Sequence, residues 1–238
     1  MLCMILVSCT GQKTGKENDN NDKIAIEVGE IKFPPQDVLQ LKSYYLSSSV
    51  HVDSIDYLIG YNYRLHSLDC MNLKSKSVTQ IVLPGDGPDA IVRLSGIYAQ
   101  SLDSVWISDE SERAFLIDSV GTIKRMIDLK KYLEDQEQLL INTNYAMFTS
   151  HLFYNASRHS LMFLVKHTPS NTFIVKEAFI DEVGKMATYQ LSSSKVVPDM
   201  SKGYAYINFP NVNFVGENIV YNYPVESSIY MLDIRTNE

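Results

Sequence analysis

The stretch Leu83–Leu94, LPGDGPDAIVRL, sets two glycines, two prolines and two acids close together, the residue types from which loops that cradle a phosphate or a metal are made. A phosphate loop needs backbone N–H groups at the start of a helix, with a Lys and a Ser or Thr beside them. Here Asp86 and Asp89 would repel the anion and the residues that follow read as extended, so the stretch is expected to be a connection between strands. The other reactive side chains are scattered. His51, His66, His151, His159 and His167 show neither H-x-H nor H-E-x-x-H spacing, so no zinc site is indicated, and there is no G-x-S-x-G elbow. Cys70 follows His66 by four residues, which would make an activated thiol only if the two faced each other; a small buried cysteine is the plainer reading. Asp109 and Glu110 adjoin in a turn, where solvated charge is the expectation. No catalytic, cofactor-binding or metal-ligating residue is assigned, although acids far apart in the chain could still meet in space.

Composition narrows what must position such residues. The chain has 238 residues, of which 45% are hydrophobic and 21% charged, enough for one domain with a real core or two small ones. A net charge of -7 argues against a nucleic-acid partner, since neutralising phosphates takes clustered Lys and Arg. Fifteen tyrosines against a single tryptophan, with Val and Ile in short runs, favour strands. An all-β chain is expected.

Internal echoes then decide the fold class. Tyr57–Asp69 (YLIGYNYRLHSLD), Val105–Asp118 (VWISDESERAFLID), Leu152–Leu164 (LFYNASRHSLMFL) and Ile219–Asp233 (IVYNYPVESSIYMLD) each read as strand, polar turn, strand. Their starts are 48, 47 and 67 residues apart, close to one four-stranded propeller blade with an insertion in the third interval. Within SVWISD, Val105 and Ile107 share one face and Trp106 and Ser108 the other. AFLID leads through SVGT, where Gly121 suits a positive φ, into IKRMIDL, while VTQIVL (Val78–Leu83) closes the repeat before GDGP. The expectation is an all-β fold of about four antiparallel, four-stranded, propeller-like blades over residues 24–238. Two segments stand apart. Leu129–Ile141 (LKKYLEDQEQLLI) has near-helical apolar spacing and is expected to be a short helix packed between blades. Lys202–Phe214 (KGYAYINFPNVNF) could be a sugar-stacking platform, although alternation of Tyr204, Tyr206 and Phe209 fits strand packing as well.

The N-terminus carries a resemblance. Met1–Gln12, MLCMILVSCTGQ, is an apolar run that turns polar at once, and LVSC (Leu6–Cys9) resembles the lipobox of bacterial lipoproteins. That resemblance implies cleavage before Cys9, a diacylglyceryl thioether on its sulfur and anchoring by two or three acyl chains, which hold where a single chain does not. The departure is that no Lys or Arg precedes Lys13, so either the natural start lies upstream or the signal is impaired; Met1–Val7 as a buried first strand is the alternative. Thr10–Lys23, TGQKTGKENDNNDK, has no large apolar residue and reads as a flexible tether. No acid follows Cys9 directly, which in the resembled lipoproteins implies the outer membrane. With Cys3 removed and Cys9 lipidated, Cys70 has no disulfide partner.

Lipobox, tether, GDGPD and the Asp103–Arg125 pattern together resemble the Bacteroidetes-type lipoproteins of unknown function that fold as six-bladed β-propellers. In that group a Gly-x-Gly-Pro-acid turn precedes such a blade, and Gly85, Gly87, Pro88 and Asp89 occupy it here. About 215 residues after the tether fall short of the roughly 270 that six blades would need, so an incomplete propeller is expected, with Ile24–Phe33 as the strand that would close the ring. The resemblance implies an architecture and brings no catalytic residues with it; the tether, the tyrosines and the lack of a catalytic motif lead to the expectation of a membrane-anchored, periplasmic or surface-exposed module that binds a protein or a glycan, with no cofactor. A metal-dependent propeller lyase or lactonase and an inactive fragment are the alternatives.

Overall fold

The computed structural model of the protein describes residues 29–33, 44, 46–140, 152–196 and 209–236. The lipobox with Cys9, the tether, His151, Tyr204 and Tyr206 lie outside them. Among the described residues the chain is all β apart from one 3-10 turn, and it builds four antiparallel sheets in chain order. The first is β1 (Ser47–Val52), β2 (Ile55–Asn62), β3 (Ser67–Asn72) and β4 (Val78–Val82); the second is β5 (Leu94–Ser101), β6 (Ser104–Asp109), β7 (Arg113–Ile117) and β8 (Ile123–Asp128). The third joins β9 (Glu137–Leu139), β10 (Leu152–Asn155), β11 (Ser160–His167), β12 (Thr172–Phe179) and β13 (Met186–Gln190). The fourth has three described strands, β14 (Asn211–Val215), β15 (Asn218–Asn222) and β16 (Tyr230–Asp233). Apart from β9, which pairs with β11, each strand pairs with its chain neighbour in the sheet, the up-and-down meander of propeller blades.

The four echoes are hairpins of these sheets, but not the same hairpin each time. Those at 57, 105 and 219 are β2–β3, β6–β7 and β15–β16, whereas the one at 152 is β10–β11, the first hairpin of its blade. One edge of β11 is shared: Leu152–Asn155 pairs with its first half, and Glu137–Leu139 with Val165–His167. The expected helix over Leu129–Ile141 is therefore corrected. Only Leu129–Tyr132 turns, as a 3-10 helix capped by the Asp128 carboxylate, which accepts from the Lys130 N–H, and β9 follows as a strand. Residues 29–33, expected to belong to a closing strand, are in none.

Side-chain alternation turns the stack of sheets into shared cores. Val105, Ile107, Phe115 and Ile117 of the second sheet meet Ile59, Leu68, Cys70 and Ile81 of the first. From the opposite face of the same strands, Trp106 and Ala114 join Leu161, Phe163 and Ile174 of the third, and Trp106 stacks on Tyr154 with ring centres 6.0 Å apart. The third and fourth sheets share Phe153, Val175, Tyr189, Val212 and Tyr221. Every second residue of a central strand thus belongs to a different interface, as a period of two requires. β1 lies against β5, and β5 against β10, so these strands run along one side of the stack.

Gly121 has φ +85°, as its turn position requires, and a Cβ there would lie 2.3 Å from the Val82 carbonyl oxygen at the end of β4. Gly121→Ala is expected to cost about 2 kcal/mol in urea unfolding, because strain and a backbone clash coincide; a loss below about 0.5 kcal/mol would show that the turn rearranges freely.

Candidate functional site

Antiparallel order brings the turns that matter to one end of the sheets. β4 finishes where the β2–β3 hairpin turns, with the Leu83 N–H donating to the His66 carbonyl. The connection to the second blade then folds on itself, the Ala90 N–H donating to Gly87 and the Ile91 N–H to Pro84 at 2.8 Å, with Gly87 at φ +90°. GDGP is thus an inter-blade connection, as expected.

The same end of the second blade grips this connection. Asp109, completely buried, accepts from the Ser111 and Arg113 N–H groups and from the Arg113 guanidinium at 2.8 Å, and the Val92 N–H lies 3.4 Å away. Arg113 also donates to the Ala90 carbonyl at 2.7 Å and lies over the Phe115 ring. The expectation of solvated charge fails for Asp109: the hairpin folds its carboxylate inward as an ion pair. Glu110 stays near the surface, 3.4 Å from Arg93 Nε. In the fourth blade Glu226 does the corresponding work, accepting from the Ser194 hydroxyl, the Val196 N–H and the Tyr230 hydroxyl; these bonds, the serine's first, hold its carboxyl down at about 2.

Between the β2–β3 hairpin and the gripped connection opens a cleft of about 790 Å³. Tyr61, Tyr63 and His66 line one side; Gly85, Ile91, Val92 and Arg93 line the other. Two of its lining residues are large and exposed, Tyr63 at 44% and Val92 at 40%. The His66 backbone takes φ +50°, and Nδ1 is 3.1 Å from the Tyr61 hydroxyl. Its Nε2 is buried and has no hydrogen-bond partner. A buried polar atom left unpaired is rare and costs free energy that an incoming ligand can return. The arrangement offers aromatic faces, a guanidinium and an imidazole nitrogen to one occupant.

Cys70 and His66 are not brought together. Cys70 is buried in the core between the first two blades; burial, and then the Asp69 carboxylate, push its thiol up to about 12, far from a thiolate. Asp69 itself accepts from the Tyr44 hydroxyl and from the Asn62 and Gln80 amides. Of the other histidines, His51 bonds Asp56 across a surface turn and His167 bonds Ser170. His159 is more elaborate, with Nδ1 2.5 Å from the Tyr154 hydroxyl and Nε2 3.2 Å from Asp181, which also meets Arg125 of the second blade. Both Tyr–His pairs come from the spacing Y-N-x-x-x-H-S-L, at 61–68 and 154–161, which was visible in the sequence. They sit on different hairpins, and a cleft lies at the first. Phe209 packs on Phe173 with ring centres 5.3 Å apart, under Lys166. Among the described residues no group of three or more His, Cys, Asp or Glu is placed to hold a metal ion, and no helix is long and apolar enough to cross a membrane.

No protein family and no curated protein matches the sequence. Among solved structures the chain is similar to an oligogalacturonate lyase in complex with manganese, at 12% identity over 81% of this chain and 50% of that one, with a TM-score of 0.43. It is also similar to BamB from Moraxella catarrhalis, at 10% identity over 80% and 50%, TM-score 0.39, and to a Bacteroides fragilis protein named as exported, at 12% over 89% and 74%, TM-score 0.41. The chain spans about half the length of the first two. Lyase activity and manganese belong to that protein. For this chain, the strand order and shared cores described above define the β-propeller-type fold.

Proposed function

We propose that the protein is a membrane-anchored lipoprotein, held through Cys9, whose propeller blades bind a glycan in the cleft between the first and second blades. The observation that carries the glycan reading is the cleft itself: exposed Tyr63 at its mouth, Arg93 opposite, and the unpartnered Nε2 of His66 within. Sugars present apolar C–H faces that stack on aromatic rings and vicinal hydroxyls that planar side chains bond in pairs. A flat protein partner would need a far larger complementary surface than one such cleft offers. Cys9, followed by the apolar-free Thr10–Lys23, supports the anchor.

Titration of the Lys23–Glu238 chain with a panel of oligosaccharides tests the cleft. Tyr63→Ala and His66→Ala are each expected to weaken binding about tenfold or more, near 1.4 kcal/mol, while the melting temperature stays within a few degrees. A protein that binds no saccharide at millimolar concentration, or whose variants bind unchanged, ends this reading. In whole cells, palmitate label carried by the full chain and lost in Cys9→Ser tests the anchor.

A further inference from the structure

We infer that Gly85 selects hexoses: the space left by its missing side chain takes a sugar's exocyclic hydroxymethyl arm and delivers the hydroxyl to His66 Nε2; this rests on the glycan reading above. Glycine is not demanded here by the backbone. Gly87, two residues on, has φ +90° and needs the freedom of glycine, whereas Gly85 lies outside the left-handed region. Nor is it demanded by packing, since a Cβ there would have His66 Cδ2 as its one neighbour within 4 Å, at the ordinary contact distance of 3.7 Å. Alanine would fit the fold. What it would take away is open space in the cleft wall beside the imidazole.

That space adjoins a nitrogen in want of a partner. Cδ2 is the ring carbon bonded to Nε2, and Nε2 is closed to water and makes no hydrogen bond. The other ring nitrogen, Nδ1, is held 3.1 Å from the Tyr61 hydroxyl, so the imidazole can pivot about that contact, and the edge it turns toward Gly85 meets open space. A small turn of the ring presents Nε2 to the cleft. The group that meets it there has to be slender. A secondary hydroxyl is fixed to a sugar ring too broad to lie against the Gly85 Cα, whereas a hydroxymethyl arm is one carbon wide and rotates about its bond to the ring. Without a Cβ, such an arm rests on the backbone itself, a close approach for which glycine is suited. Its hydroxyl donates to Nε2 or accepts from it, according to the tautomer that the Tyr61 contact sets at Nδ1. The unmet hydrogen bond of the buried nitrogen is then satisfied.

The test compares glucose, galactose and mannose oligosaccharides with xylose oligosaccharides, which have no arm, and with deoxy hexoses that keep the arm's carbon but lack its hydroxyl. Calorimetry on the full chain gives the affinities, and NMR of the imidazole nitrogens reports contact at Nε2. At least one hexose is expected to bind about tenfold tighter than both xylose and its own deoxy counterpart, and to shift the Nε2 resonance. Gly85→Ala should bring that hexose down to the affinity of xylose. Its urea midpoint should hold or rise, as happens when alanine replaces glycine in a conformation alanine accepts. If hexoses bind no better than xylose or the deoxy sugars, selection at Gly85 is overturned and the glycan reading stands. A Gly85→Ala variant that keeps the full preference, or whose midpoint falls, overturns the selection in the same way. Absence of binding by every saccharide overturns both.

Discussion

Arg113→Met is expected to lower the stability of the protein by about 3–5 kcal/mol, the cost of leaving a buried carboxylate without its cation. Asp109 has no exposure of its own and Arg113 is only 22% exposed at the side chain, so water cannot substitute for the guanidinium. Three neutral backbone donors, the Val92, Ser111 and Arg113 N–H groups, remain with the carboxylate, but they cannot cancel its charge. Part of the loss is offset because the native Arg113 Nε is itself buried and unpartnered, and methionine removes it. Equilibrium urea unfolding reads the effect as a shift in midpoint with unchanged slope. The same substitution releases the Ala90 carbonyl, and with it the connection that forms one wall of the cleft, so ligand affinity should fall even where the variant remains folded. A loss under about 1 kcal/mol would mean that the turn opens and hydrates Asp109 at little cost.

What the sequence revealed of this molecule follows from which of its features are periodic. Strands β2, β6 and β7 are short apolar runs largely buried on both faces, and the hairpins between the strands carry Asn or Asp with a small or charged partner, so their order could be read directly. Gly121 at a positive φ was legible for the same reason. The segment after Leu129 misled because one 3-10 turn followed by a short strand places Leu129, Tyr132, Leu133 and Leu139 at intervals that mimic a helix. The first three pack on the core between the second and third blades, and Leu139 pairs with Val165. Asp109 misled because an acid in a turn is normally solvated, and only the fold of the hairpin shows Arg113 returning across it; Asp followed by Arg at the fourth position was the available hint.

The cleft was illegible for a deeper reason. Tyr61, Tyr63 and His66 come from one hairpin and Ile91, Val92 and Arg93 from the connection to the next blade, and no motif joins them. That His66 Nε2 is buried without a partner is a property of three-dimensional packing, since the identical Y-N-x-x-x-H-S-L spacing around His159 puts its Nε2 against Asp181. Repetition in the sequence marks where hairpins fall; neighbouring connections decide which of them becomes a site.

The second large effect concerns Lys176, which has no exposure and spans from β12, across β11, to Glu137 of β9 at 2.7 Å and Glu134 at 3.1 Å. Glu137 is 4% exposed at its side chain, whereas Glu134 is 64% exposed and well screened, so the pair that matters is Lys176 with Glu137. Lys176→Met leaves Glu137 charged and enclosed, and a loss of about 3–5 kcal/mol is expected. The double variant Lys176→Met with Glu137→Leu removes both charges and fills the space with apolar atoms, and buried ion pairs exchanged in this way are commonly neutral or better. It should return to within about 1 kcal/mol of the parent. The difference between the sum of the single losses and the double gives the coupling directly. A double variant as unstable as Lys176→Met alone would show that the lysine is needed for its own bonds, including that to Glu134, and would remove the pair with Glu137 as the tie that holds β9 against the third blade.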